Sequence, residues 1–135
     1  MPALPAPKRE MICVDVENRS GAEVDEHGAV ELAERVLREE GIGDGELGIA
    51  FVGADEMRTL KRDHLGIDEA TDVLSFPIDG RDEIPEGMPR ALGDVVLCPQ
   101  AVGDEWRWPL THGLLHLLGY DHGDEMSARE EQLLA

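Results

Sequence analysis

The sequence predicts an α+β fold: a mixed four-stranded β-sheet packed with about four to five helices. Three observations point there. Four short stretches, alternating or largely apolar and rich in β-branched residues, read as strands. Between and after them lie stretches whose apolar residues recur at helical spacing. Their order, β-α-β-α-β-β-α-α, interleaves helices with strands and then sets two strands in succession, as a mixed sheet with packed helices requires. The 135 residues hold no repeat, low-complexity block or linker that would divide them. Residues 1–135 are therefore read as a single domain. Pro2, Pro5 and Pro7 mark residues 1–9 as a frayed leader.

Each element has its own signal. Met11 to Glu17 alternates and reads as a strand, followed by a turn over Asn18 to Gly21. Ala29 to Glu40 places Val30, Ala33, Val36 and Leu37 on one helical stripe, and Gly41 and Gly43 close it. His27 falls before this helix and is expected in a loop. Glu46 to Val52 is a second strand. Asp55 is a plausible N-cap for a helix to about His64, which carries Arg58, Lys61 and Arg62, the densest basic cluster of the chain. Asp72 to Pro77 is a third strand, Ile78 to Met88 a polar loop, and Ala91 to Cys98 a fourth strand, apolar enough to be central. Gln100 to Thr111 reads as a clipped loop with at most one or two helical turns. Its Trp106 and Trp108 are expected to pack in the core, with base stacking as the sharper option. A final helix, Glu125 to Leu134, is expected behind an Asp124 cap, with Met126, Leu133 and Leu134 turned inward.

The chemistry concentrates between residues 112 and 122. His112 to Leu118 is apolar and helix-forming, so His112 and His116, four apart, share one helical face. Gly119 sits where a left-handed terminator belongs. The chain can turn back there and bring Asp121 and His122 to the same face. Three converging neutral imidazoles make a good site for zinc or a similar divalent ion. Three protein ligands with a fourth position open is the catalytic arrangement, whereas structural zinc sites are usually closed by four. One Zn2+ per chain, on His112, His116 and His122, is the expected cofactor. The spacing H-x3-H-x2-G-x2-H is also that of the metzincin proteases. Those enzymes place a glutamate after the first histidine as general base, and here that position is Gly113.

The same stretch, His112-Gly-Leu-Leu-His116-Leu-Leu-Gly119-Tyr120-Asp121-His122, resembles the signature of the YbeY family, H-G-x-L-H-L-x-G-Y-D-H, at every fixed position. Thr71-Asp-Val-Leu-Ser-Phe-Pro77 is similar to that family's T-D-V-L-S-F-P segment, and Leu92-Gly-Asp-Val-Val96 to its strand beginning with Gly-Asp. The resemblance covers nearly the whole chain. It implies an α+β fold, a bound zinc and a single-strand-specific endoribonuclease of ribosomal RNA maturation. That work includes processing the 3′ end of the small-subunit RNA and ribosome quality control. The implied partners are ribosomal RNA, ribosomal proteins and the small ribosomal subunit. One departure is plain. The family's phosphate-binding arginine lies six residues before the Thr of the second motif, and that position is Leu65, preceded by His64. Lys61 and Arg62, one turn earlier on that helix, are the candidates to replace it. Asp121 is a candidate hydrogen-bond partner for a ligand imidazole. Ser75 and Asp72 could line the cleft.

The formal charge is −18, from 30 acidic and 12 basic residues. Nucleic-acid affinity normally comes from Lys and Arg on phosphates, so an RNA enzyme of this charge needs a local basic patch or a basic partner that presents the RNA. No stretch reaches the about 18 apolar residues of a membrane span. The N-terminus has no charged-then-apolar signal. A cytoplasmic chain without membrane or nucleotide cofactor is expected. Cys13 and Cys98, both in expected strands, read as buried reduced thiols. The competing functions are a ribosome-assembly binding factor with a structural or vestigial zinc, a zinc peptidase, which Gly113 opposes, and a metal carrier, which only the cage supports.

Overall fold

The computed structural model describes residues 11–65 and 73–135. The leader 1–9, Thr71, Asp72 and the side chain of Leu65 lie outside the described part. Four strands, β1 (Ile12–Asn18), β2 (Gly45–Phe51), β3 (Val73–Pro77) and β4 (Ala91–Leu97), form one sheet in the order β1-β2-β4-β3. β1, β2 and β4 run parallel, and β3 closes the sheet antiparallel to β4. The helices are α1 (Glu26–Glu39), α2 (Ala54–Leu65), α3 (Pro99–Val102), α4 (Arg107–Leu117) and α5 (Asp124–Leu134).

The sheet is mixed as the sequence predicts, and β4 is an interior strand. Its second half is apolar because both faces are covered there, whereas Asp94 is exposed. Val95 and Leu97 join Leu47, Ile49 and Phe51 in a core shared with α1, α4 and α5. Val96 packs the other way, with Leu74, Cys98 and Met57 of α2. Beyond α2 that second face is open, and alternation along β1 points Cys13, Asp15 and Glu17 out of it. Cys13 is therefore exposed rather than buried, while Cys98 is buried as expected and both thiols are free.

Several boundaries differ from the sequence expectation, each for a local reason. The Asp25 side chain accepts from the Gly28 amide at 2.9 Å, so α1 starts one turn early. His27 is consequently helical, its Nε2 2.9 Å from the Glu31 carboxylate. Asp55 and Asp124 lie inside the first turns of α2 and α5 rather than at their caps. There they still face the positive end of the helix dipole. Pro99 ends β4 and opens the short α3. The largest difference is α4, which begins at Arg107 in the middle of the expected clipped loop. Pro109 falls in its first turn, where a proline removes no helical hydrogen bond. Trp106 is buried, with Arg107 4.5 Å over its ring, whereas Trp108 is exposed.

Candidate metal centre

Helix α4 carries His112 and His116 one turn apart, and its fit against the sheet sets where they point. A Cβ on Gly113 would lie 2.7 Å from Val95 Cγ1 and 3.1 Å from Ser75 Oγ. The helix thus meets β3 and β4 with no room for a side chain at this position. Ser75 Oγ donates to the Gly113 carbonyl at 3.0 Å, fastening the helix to the strand. Gly113 therefore does more than lack a base: its position faces the sheet, where a carboxylate would have neither space nor water.

At its end α4 closes in a Schellman motif. Gly119 has φ +98°, its amide donates to the His116 carbonyl at 3.1 Å, and the Tyr120 amide donates to the Leu115 carbonyl at 3.0 Å. The chain reverses and returns His122 beside the other two rings. One ligand atom from each of His112, His116 and His122 lies within 4.8 Å of the others. The three ring centroids are 4.5 to 5.0 Å apart.

The protonation pattern follows from the outer partners. His112 Nδ1 donates to Glu130 Oε1 at 2.6 Å, and His116 Nδ1 donates to the Tyr120 carbonyl at 2.9 Å. A carbonyl only accepts, so His116 holds its proton on Nδ1, and a neutral ring then presents a bare Nε2. Burial, aided by the neighbouring His112 and His122, pushes the His116 pKa down against the pull of the Tyr120 carbonyl and Asp121. The ring thus favours its neutral, ligating form. The Nε2 atoms of His112 and His116 face one another at 3.1 Å. At that distance the two nitrogens can either share a proton or hold a cation between them. Zinc–nitrogen bonds of 2.0–2.1 Å at a tetrahedral angle separate two ligand nitrogens by about 3.3 Å. The donor set fits a zinc-like ion.

Glu130 was not legible as a site residue. It lies 18 residues beyond His112, and no spacing rule joins them. One signal was available: Met126, Glu130 and Leu133 share a stripe of α5, and an acid inside an apolar stripe needs a partner. Tyr120 is fixed at both ends. Burial raises its hydroxyl pKa, and so does its hydrogen bond to Glu40. Glu40 itself is buried and accepts from Arg81 Nη2 at 2.7 Å and Arg129 Nε at 2.5 Å. The same two guanidiniums donate to the Glu40 and Glu39 carbonyls, capping α1.

The histidines open into a cleft of about 710 Å³, lined also by Lys61, Ser75, Trp108 and Asp121. Lys61 therefore lines the same cleft as the three histidines. Arg62 does not line the cleft; it is exposed, 3.8 Å from the Asp63 carboxylate. Asp121 lines the cleft and acts on His116 through its charge. The two Nδ1 positions described above are taken by Glu130 and a backbone carbonyl instead. His64 packs edge-on against Phe76, with centroids 4.9 Å apart. A second concavity of about 600 Å³ lies over the open sheet face, with Asp15, Glu17, Glu46 and Asp94 but neither histidine nor cation in its lining.

The family model of endoribonuclease YbeY matches residues 15–135. The chain belongs to the YbeY family. It is 35% identical to the endoribonuclease YbeY of Salinispora tropica over 90% of this chain and 94% of that protein. The identity to the Halorhodospira halophila endoribonuclease YbeY is 42%, over 67% and 70% of the two chains. To the Acidothermus cellulolyticus endoribonuclease YbeY it is 40%, over 87% and 83%. Among solved structures, the solution structure of a Thermotoga maritima protein superimposes with a TM-score of 0.56 at 26% identity, covering 90% of this chain and 86% of that one. Among the described residues, no helix is long and apolar enough to cross a membrane.

Proposed function

We propose that residues 1–135 form one metal-dependent endoribonuclease domain that binds one Zn2+ and cleaves single-stranded RNA in ribosomal RNA maturation. Its tasks are 3′-end processing of the small-subunit RNA and ribosome quality control, in the cytoplasm. One observation carries the reading: three imidazoles converge on one point of a cleft, two of them with Nδ1 anchored so that Nε2 faces inward. His112, His116 and His122 hold the ion. Zinc in such a cage supplies Lewis acidity toward a phosphoryl oxygen and acidifies water toward neutral pH. That chemistry removes the need for a strong side-chain base, which agrees with the packing at Gly113.

The remaining steps belong to the chain's own residues. Glu130 and the Tyr120 carbonyl keep the ligand rings oriented. Lys61 holds the phosphate from α2, in place of the family arginine at the Leu65 position. Arg62 adds an outer charge on that rim. Asp121, at the cleft wall, places a negative charge beside His116. With a net charge of −18, productive affinity comes from these local groups and from a basic ribosomal protein or the small subunit presenting its RNA.

A second reading, a ribosome-assembly binding factor with a vestigial zinc, is favoured by Leu65 and by the acidic surface. Cleavage of structured ribosomal RNA by purified protein separates the two. The hydrolase reading expects cleavage that is lost in His116→Ala or with chelator and returns with zinc. Ribosome association that survives loss of the histidines, with no cleavage of free or assembling RNA, would establish the binding factor.

A further inference from the structure

We propose that Trp108 forms a nucleobase-stacking subsite beside the metal cluster, selecting an unpaired base next to the phosphate held there; this rests on the endoribonuclease reading. Trp108, His112 and His116 are each four residues apart in one helix. They form one stripe, with about 6 Å of rise between successive members. The indole thus stands one turn beyond the metal ligands, at the mouth of the same cleft and within one nucleotide's reach of a phosphate between the histidines and Lys61.

Its surroundings are those of a platform rather than of a core residue. Trp108 is 45% exposed, whereas Trp106, two residues earlier, is 8% exposed. Of the other exposed large hydrophobic residues described, Met11, Ile78 and Met88, none lines this cleft. The buried Pro109 follows directly and fixes the backbone, so the ring sits on a rigid helix rather than a loop. Stacking also suits an acidic chain. Contact between a base and an aromatic face draws on π surface and needs no cation, so a net charge of −18 does not oppose it as it opposes phosphate contacts. A paired base within a duplex already has both faces covered, so the subsite favours unpaired nucleotides.

The test titrates the purified full chain, in chelator so that RNA stays intact, with short labelled single-stranded RNA. Tryptophan emission and RNA anisotropy are read together. Wild-type emission is expected to be quenched on binding, while Trp108→Phe, in which only Trp106 emits, shows no quenching. Trp108→Ala is expected to weaken binding about tenfold or more, Trp108→Phe by less than about threefold. RNA with one base removed at the stacked position should lose as much on wild type as Trp108→Ala loses on intact RNA, with no further loss when the two are combined. That arm leaves the protein unaltered, so it stands even if Trp108→Ala folds poorly. Unquenched emission on binding, unchanged affinity in Trp108→Ala, or equal loss toward duplex RNA would overturn the subsite. So would a wild-type dimer that Trp108→Ala dissolves, since the ring would then join copies of the chain. Cleavage with zinc restored is scored separately. Cleavage indifferent to Trp108 sinks the subsite and keeps the nuclease, whereas Trp108-dependent binding without any cleavage keeps the subsite and sinks the nuclease.

Discussion

On one wall of the cleft, each α4 imidazole is fixed twice: by the helix that carries it and by a partner on Nδ1, Glu130 for His112 and the Tyr120 carbonyl for His116. Another part of the lining comes from α2, where Lys61 stands in the last two turns, just before residues outside the described part, and the exposed Arg62 beside it lies 3.8 Å from the Asp63 carboxylate. The first wall is preorganised before any ligand arrives. The second supplies charge from long, flexible-stemmed side chains rather than from a rigid ring on a helix face. A metal needs the first kind of wall, because tenths of an ångström decide coordination. A phosphate on a moving RNA tolerates the second.

The difference can be broken most severely at Gly113. Gly113→Glu should abolish folding, and Gly113→Ala should cost about 1–3 kcal/mol by overpacking against Val95. Urea unfolding checks both, and a Glu variant as stable as wild type would mean that α4 is not pressed on the sheet. Next comes Glu40→Ala, which strands two guanidiniums and releases Tyr120. A loss of about 3 kcal/mol is expected, near the lower end for breaking a buried ion pair because Arg81 is half exposed. Glu130→Gln should then lower zinc affinity about 10–100-fold with the fold intact, read by competition against a chromogenic chelator. His116→Ala should lose more than that, since it removes a ligand rather than its support. On α2, Lys61→Ala should raise KM several-fold, leave zinc affinity unchanged and reduce the salt slope of RNA binding by about 1. Arg62→Ala should stay within about twofold of wild type, and a larger loss than at Lys61 would reverse the two roles.

The same division governs what the sequence could reveal. His112, His116, Gly119 and His122 are legible because a helix and its terminator impose fixed local spacing. The interior position of β4 is legible because its second half, Val95 to Leu97, is an apolar run buried on both faces. Glu130 and Glu40 escape, since each meets its partner across 18 residues or more and a contact of that kind leaves no periodicity. Gly113 is visible as a missing base, yet the cause, Val95 and Ser75 from two strands, appears only once the sheet is assembled. Cys13 was misplaced because alternation along β1 says which residues share a face but not which face a helix covers. Trp108 is exposed rather than in the core because α4 starts at Arg107, inside the stretch that reads as a clipped loop, and local spacing there does not say which face of the helix meets the sheet.

The buried carboxylate of Glu40 also bears on motion. It joins Arg81, 41 residues on, Arg129, 89 residues on, and the hydroxyl of Tyr120 at the turn that follows the metal helix. Three remote segments therefore have to part together before that turn can open. The turn carrying His122 is a solvent-exposed Gly-Tyr-Asp-His reversal at a helix end, yet the Tyr120 hydroxyl ties it to the buried Glu40 and so to segments far along the chain, which should couple its opening to theirs. The amide of Tyr120, bonded to the Leu115 carbonyl, should exchange with solvent deuterium only as fast as the whole molecule unfolds.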